Sequence, residues 1–320
     1  MTLTTLITGG TGFIGWNIAR TLKEKGKEVI LFDIFPPRKY QNLSELTPEV
    51  KFKKGDLSSW PEVLEAVKNY NVDEIFHTGA MVSEACENNP LAAYTVNING
   101  TFNILEAANI FNVKKLTFIS SIATYSLGQT ETITNLSPQK PFSMYGVSKV
   151  CGELLGEYFG RKFGLDFRGV RFPSIIGPGR GLGGLSSYTT LMIQEPALNR
   201  SYEVFVSEDT VCPVLYYKDA IRCLIELHDA PSDLLKSKMY CIAGELLTAA
   251  EISNIVKRTI PDAKIFFKPE PEKTRIVKSW AQKIDETDAI KDWSWKRKFT
   301  AEQAITDFIQ EIKSNPETYN

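Results

Sequence analysis

Short apolar runs alternate along this chain with stretches of helical periodicity. Leu3-Thr-Thr-Leu-Ile-Thr8 reads as a buried strand, residues 16–25 have helical character, and Gly26 supplies a stop. Val29-Ile-Leu-Phe32 is a second apolar strand closed by Asp33. Residues 51–56 predict a short third strand. Ser59-Trp-Pro-Glu62 has the form of a capping box opening a helix over 63–69. Residues 73–77, 115–120 and 165–172 predict further strands, with long helical patterns over 90–111 and onward from Tyr145; Pro173 ends the last strand. Near-continuous apolar strands separated by helices predict an α/β chain built on a doubly wound parallel sheet.

After Phe172 the composition changes. Gly177-Pro-Gly-Arg-Gly-Leu-Gly-Gly184 is a glycine-dense loop of the kind that shapes a ligand pocket at the carboxyl end of a sheet. Residues 211–215 and 218–229 read as a strand and helix returning to the main sheet, and 239–243 as another strand. Thr248-Ala-Ala-Glu251 and Thr300-Ala-Glu-Gln303 predict capping boxes for two late helices. The expected division is a nucleotide-binding domain of 1–172 plus about 214–243. A smaller C-terminal α/β substrate lobe takes about 173–213 plus 244–320.

The first strand–glycine–helix–strand unit carries specific chemistry. Gly9-Gly-Thr11-Gly12-Phe13-Ile14-Gly15 lies at the strand-to-helix turn, and Asp33 stands 18 residues beyond Gly15. Glycines let backbone approach a pyrophosphate, and a helix N-terminus offers unpaired N–H groups and a positive dipole end. Asp33 can accept hydrogen bonds from an adenosine ribose and would repel a 2′-phosphate, favouring NAD over NADP. Arg38 and Lys39 weigh the other way. Thr78-Gly79-Ala80 begins a loop expected to cross the cofactor.

A second constellation is Tyr145-Gly-Val-Ser-Lys149. Four residues make one helical turn, so both side chains project from one face, about 5–6 Å apart at Cβ. A free phenol titrates near pH ~10, and an adjacent ammonium favours its phenolate. Such a pair can take a proton from an alcohol while hydride leaves the same carbon for a nicotinamide.

Global properties narrow the field. Lys+Arg 37 against Asp+Glu 38 leaves a net charge of −1, so no basic field points to nucleic acid or an anionic membrane. No apolar run approaches the ~20 residues of a membrane span, and the N-terminal residues lack a signal-peptide pattern. Five scattered cysteines without a C-x-x-C imply reduced thiols and a cytoplasmic location. Only His77 and His228 are present, which excludes an assembled zinc site or histidine triad; no metal is expected, and His77 reads as a structural histidine. Trp293 and Trp295 read as packing for the small lobe.

Taken together, Thr8-Gly-Gly-Thr-Gly-Phe-Ile-Gly15, Asp56-Leu57, Val96-Asn-Ile-Asn-Gly-Thr101, Ser120-Ser121 and Tyr145-x-x-x-Lys149 resemble the extended short-chain dehydrogenase/reductase family of Rossmann-fold enzymes. Within it the likeness is greatest to the L-threonine 3-dehydrogenase branch, through residues 97–108, 144–158, 162–166 and 279–295. The resemblance implies Tyr145 as acid/base, Lys149 as its partner and a ribose ligand, and Ser121, with Ser120, as the hydroxyl orienting the substrate oxygen. Sugar-nucleotide epimerases of the family carry that hydroxyl one position later, where this chain has Ile122. It implies cofactor contacts from Asn97 and from the Arg171–Ile176 stretch holding Phe172, Ser174 and Ile175, and substrate contacts from Ser83, Arg180, Ser186, Ser187 and Tyr188. Threonine dehydrogenases carry Thr-Thr-Asp-Tyr where this chain reads Leu185-Ser-Ser-Tyr188, so Ser187 replaces an acid that could neutralise an ammonium. The departure brings in aldonates as substrates, with Arg180 clamping the carboxylate. The expected activity is NAD-dependent oxidation of a small polar hydroxy acid or hydroxy amino acid. The rivals are a nucleotide-sugar 4-epimerase or dehydratase retaining its NAD, and a catalytically silent dinucleotide sensor. The helices around 92–110 and 146–160 imply a homodimer.

Overall fold

The computed structural model describes residues 3–37, 50–125, 128, 131–181 and 183–319; Arg38 and Lys39 lie outside them. Seven strands form one parallel sheet: β1 (Thr4–Thr8), β2 (Glu28–Asp33), β3 (Val50–Lys54), β4 (Glu74–His77), β5 (Lys115–Ser121), β6 (Asp166–Phe172) and β10 (Met239–Cys241), in the order β10-β6-β5-β4-β1-β2-β3. The order reverses between β1 and β4, so a crevice opens at their carboxyl ends. Strands β1 and β4 are buried along their whole length, as a sheet covered on both faces requires.

Helices α1 (Phe13–Glu24) and α8 (Tyr217–Asp229) cover one face. The other carries α2 (Trp60–Asn69), α5 (Gly100–Ile110) and α6 (Met144–Phe163). Two further helices, α3 (Ser83–Asn88) and α4 (Pro90–Ala93), lead into α5. Arg168, fully buried on β6, donates to the carbonyls of Leu227 and Ala230, both at 2.7 Å, and so satisfies the end of α8.

The C-terminal part holds a three-stranded sheet of β7 (Ser174–Ile176), β9 (Val211–Tyr216) and β11 (Glu245–Thr248), and a pair of β8 (Tyr202–Val204) with β12 (Ile265–Phe267). Around them pack α7 (Ser187–Ala197), α9 (Ala249–Thr259), α10 (Pro271–Lys278), α11 (Thr287–Trp293), α12 (Ala301–Ser314) and the short α13 (Pro316–Tyr319). One hydrophobic cluster runs from Ile7 and Leu31 of the main sheet to Phe308 and Ile312 of α12. Trp295 is buried there, and Trp293 packs edge-on against Tyr240 at 4.5 Å. No helix among the described residues is long and apolar enough to cross a membrane.

Both late capping boxes form, with Thr248 and Thr300 each accepting from the backbone three residues on. The one expected at Ser59 does not: Glu62 turns away to accept from the Asp56 N–H at 2.8 Å. Strand β9 does not rejoin the main sheet either. Its neighbours are β7 and antiparallel β11, and only α8 returns to the sheet. The helical stretch over 90–111 is interrupted by a π-helical segment, Tyr94–Asn99.

Helix α6 seats closely on the sheet where its glycines leave no side chain in the way. A Cβ on Gly152 would stand 2.6 Å from the Phe118 ring, and one on Gly156 would run into the Phe167 ring. Gly156→Ala is expected to cost about 1–3 kcal/mol through overpacking, more than the ~1 kcal/mol it returns in helix propensity. Urea unfolding at an unchanged m-value checks it; a stability gain would mean that α6 can move outward freely.

Candidate functional site

At the crevice, Gly9 adopts φ +63°, and a Cβ there would stand 2.6 Å from the Gly79 Cα. The backbones after β1 and β4 therefore meet directly. Thr78 donates to the Thr8 carbonyl at 2.7 Å, and the Gly79 N–H donates to the Thr8 hydroxyl at 3.2 Å. Gly15 stacks on Gly9 in the same way, which brings the start of α1 over the crevice. Helix α1 begins at Phe13 with no side-chain cap and no acid in its first turn. Its first N–H groups are left for an anion.

Asp33, at the end of β2, accepts from the backbone N–H of Thr11 at 3.2 Å and of Phe35 at 3.1 Å. It closes the glycine loop from the side on which a ribose would lie. Asp56 accepts from Ser58, and Leu57 is a buried floor residue against which Gly79 packs. An uncapped helix end over bare glycine backbone, flanked by a carboxylate, fits a dinucleotide. Gly9, Thr11, Gly12, Phe13, Ile14, Gly15 and Asp33 could hold its adenosine half. Thr78, Gly79 and Ala80 border the crevice from β4.

Asn97 lies in the π segment and bonds outside its own turn. Its side chain accepts from the Met81 N–H at 2.8 Å and donates to the Met81 carbonyl at 2.9 Å and to Ser148 at 3.0 Å. This clamps the loop after β4 to α6. His77 is buried between the hydroxyls of Thr8 at 2.6 Å and Thr101 at 2.9 Å, and burial, with the Lys149 charge, holds its imidazole neutral with a pKa of about 3. It is the structural histidine expected.

Ser143 caps α6, accepting from Gly146 at 3.0 Å. Gly146 presses on the Ala123 carbonyl with no room for a Cβ, which sets Tyr145 beside the turn that follows Ser121. The Tyr145 phenol and the Ser121 hydroxyl lie close enough for Ser121 to favour the phenolate. Lys149 is buried, with its Nζ donating to the Ile119 carbonyl at 2.7 Å and lying 5.6 Å from the Tyr145 ring centroid.

The electrostatics differ from the expectation. Burial, then the Cys86 thiol, pushes the Tyr145 phenol up to about 12, against the lowering effects of Arg180 and the Ser121 hydroxyl. Burial also brings Lys149 down to about 8. Desolvation prevails, because a phenolate there would lose its water.

Arg180 enters the same space from the glycine loop. Its guanidinium donates to the Ser186 hydroxyl at 2.7 Å and its carbonyl at 3.3 Å, and to Ser174 at 3.4 Å. Burial lowers its pKa, and no salt bridge among the described residues neutralises it. Ser83 faces this loop, since a Cβ on Gly184 would lie 3.1 Å from its own Cβ.

Tyr145, Ser121, Lys149, Arg180, Ser186 and Ser83 are thus brought together. Four other candidates are not. Tyr188 has no exposed surface and packs edge-on against Phe205 at 5.8 Å, in the core under the loop, because α7 starts at Ser187 and turns that side inward. Ser187 is buried with it. Ser120 points to the opposite side of β5 from Ser121 and donates to Glu153. Phe172 is buried in the core, while Ser174 and Ile175 remain partly exposed beside Arg180.

Two groups of this neighbourhood escaped the sequence reading. Cys86 of α3 is near Tyr145 only through folding and leaves no local signal. Glu153 does: it sits eight residues after Tyr145 and four after Lys149, on the same helix face.

The family model for the NAD dependent epimerase/dehydratase family matches residues 5–243. A mitochondrial L-threonine 3-dehydrogenase of Bos taurus is 33% identical over 311 residues, covering 95% of this chain and 81% of that protein. The crystal structure of L-threonine dehydrogenase from Clostridium difficile has a TM-score of 0.88 at 30% identity, covering 100% of this chain and 99% of the other. A monomeric L-threonine 3-dehydrogenase from a metagenome has a TM-score of 0.88 at 29% identity over 97% of this chain and 99% of its own. A match across the crevice, the glycine turn and the Tyr145 helix, joined to relatives alike over nearly the whole length, makes this chain a member of the NAD dependent epimerase/dehydratase family, an NAD-dependent oxidoreductase acting on CH–OH groups.

Proposed function

We propose that this chain oxidises the hydroxyl of a small hydroxy acid or hydroxy amino acid, in the manner of a threonine dehydrogenase. The observation that carries this reading is Arg180, a partly buried cation beside the Tyr145 phenol with hydroxyl and carbonyl partners but no carboxylate among the described residues. A partly buried guanidinium without an anion is ready to take one, and a substrate carboxylate would supply it bidentately. Seated there, a substrate would present its hydroxyl to Ser121 and Tyr145.

Bound NAD would accept the hydride. Tyr145 takes the hydroxyl proton, Ser121 holds the oxygen, and Lys149 supplies positive charge to the developing phenolate. Arg180 already acts on the phenol in the same direction. Gly9 to Gly15, Asp33, Asp56, Leu57, Thr78 to Ala80 and Asn97 would form the cofactor cradle.

NADH absorbance over L-threonine, other hydroxy amino acids and aldonates tests the reading. Tyr145→Phe is expected to lower kcat by about 10³-fold while NAD still binds. Arg180→Met should raise KM for the acid roughly 10- to 100-fold, the worth of a charged hydrogen-bonding partner. Retained NAD, no net NADH and turnover of a UDP-sugar would instead make the chain an epimerase.

Asp33→Ala is expected to weaken NAD about tenfold and to narrow its preference over NADP, measured by cofactor titration. An unchanged NAD/NADP ratio would remove Asp33 from the ribose site.

The assembly proposed is a homodimer. Leu91, Tyr94, Phe102, Leu154 and Tyr158 are large apolar residues exposed by 44% or more on neighbouring helices α4 to α6. A second copy of this pair would complete a four-helix bundle. Light scattering should give a dimer that Leu154→Lys converts to monomer; a monomeric wild type, as in the metagenomic relative, would refute it.

A further inference from the structure

Under the site lies a buried ion pair that the chemistry above does not use. Glu153, 2% exposed on α6, accepts from Arg171 of β6 through Nε at 3.0 Å and Nη2 at 2.7 Å. Gln139 donates to the same carboxylate at 2.9 Å, and Ser120 donates to its other oxygen. The remaining Arg171 nitrogen reaches the Tyr125 hydroxyl at 3.0 Å and the Asn135 carbonyl at 3.1 Å.

A well-packed apolar pair would be at least as stable in such a place, so retention of the charges calls for a reason. Two consecutive turns of α6 grip two consecutive residues of β5. Lys149 holds the Ile119 carbonyl, Glu153 holds the Ser120 hydroxyl, and the next residue is Ser121. Arg171 then fastens the chain beyond Ser121 at Tyr125 and Asn135.

The surroundings of Lys149 point the same way. It meets the Phe118 ring at 4.9 Å, the Tyr145 ring, the Cys86 thiol and the neutral His77. Glu153 follows it by one helical turn and is the carboxylate that raises its pKa, while pairing directly with Arg171.

We propose that Glu153, held by Arg171, is a positioning residue of the reaction: one helical turn beyond Lys149 it sets a carboxylate on the face of that buried ammonium and, through Ser120, fixes the strand that presents Ser121. The proposal rests on the Tyr145–Lys149 reading for its catalytic consequence, though not for its electrostatics. Burial draws Lys149 down to about 8, and Glu153 is the largest influence raising it. Without that carboxylate the amine loses its proton at lower pH. The ammonium fraction near pH 8 falls, and the alkaline limb of kcat moves to lower pH.

The test compares Glu153→Gln, and a Glu153→Gln/Arg171→Met double variant that leaves no unpaired buried charge, with wild type. The Lys149 amine is titrated by NMR in cofactor-free protein, and kcat is followed against pH with NAD and L-threonine. The expected result is an amine midpoint lower by about one unit in both variants and about a tenfold loss of kcat near pH 8. The double variant recovers the melting temperature without recovering the midpoint. A wild-type midpoint in either folded variant, or failure of both to fold, overturns the proposal. Activity surviving in Tyr145→Phe would instead overturn the catalytic reading and leave the NMR result standing.

Discussion

The contact on which the site depends is the close seating of α6 on β5, with the Lys149 ammonium given to the Ile119 carbonyl. A long cationic side chain reaches a backbone acceptor in the sheet only if the helix comes near enough. Gly146, Gly152 and Gly156 permit that approach against Ala123, Phe118 and Phe167. Seated so, the helix holds Tyr145 next to Ser121 and buries Lys149. A bulkier face would push the phenol away from the hydroxyl it must work with.

The same seating takes Tyr145 and Lys149 out of water, and the consequence runs against the simple picture of an ammonium lowering a neighbouring phenol. Burial disfavours both charged forms, so the phenol rises to about 12 and the amine falls to about 8. The resting site is thus poised with the phenol protonated. The Arg180 charge moves the phenol toward ionisation.

The crevice is built with equal economy of backbone. Gly9 meets Gly79 where the strand order reverses, and Thr8 links the two loops through its hydroxyl and carbonyl. The π segment puts Asn97 where an α-helical turn would not, so that one amide clamps both polar groups of Met81 and reaches Ser148. The loop that borders the cofactor cradle and the helix that carries Tyr145 are thereby joined by a single side chain.

The local chemistry of the chain was sufficient for most of this. Apolar runs marked the central strands β1 and β2, because a strand buried on both faces must be largely apolar, whereas the edge strand β3 is lysine-rich and mostly unburied. Glycines at a strand-to-helix turn marked the loop that borders the crevice, and four-residue spacing put Tyr145 and Lys149 on one face. Local patterns do not carry pairing partners or depth. Strand β9 looked like any main-sheet strand yet pairs with β7 and β11, since partner choice is set by long-range packing. Ser120 and Ser121 are adjacent in sequence but face opposite sides of β5, and Tyr188 sank into the core because α7 begins one residue before it. The sign of the Tyr145 shift belongs wholly to tertiary structure: solvation depends on everything packed around a group, and no spacing of residues encodes that.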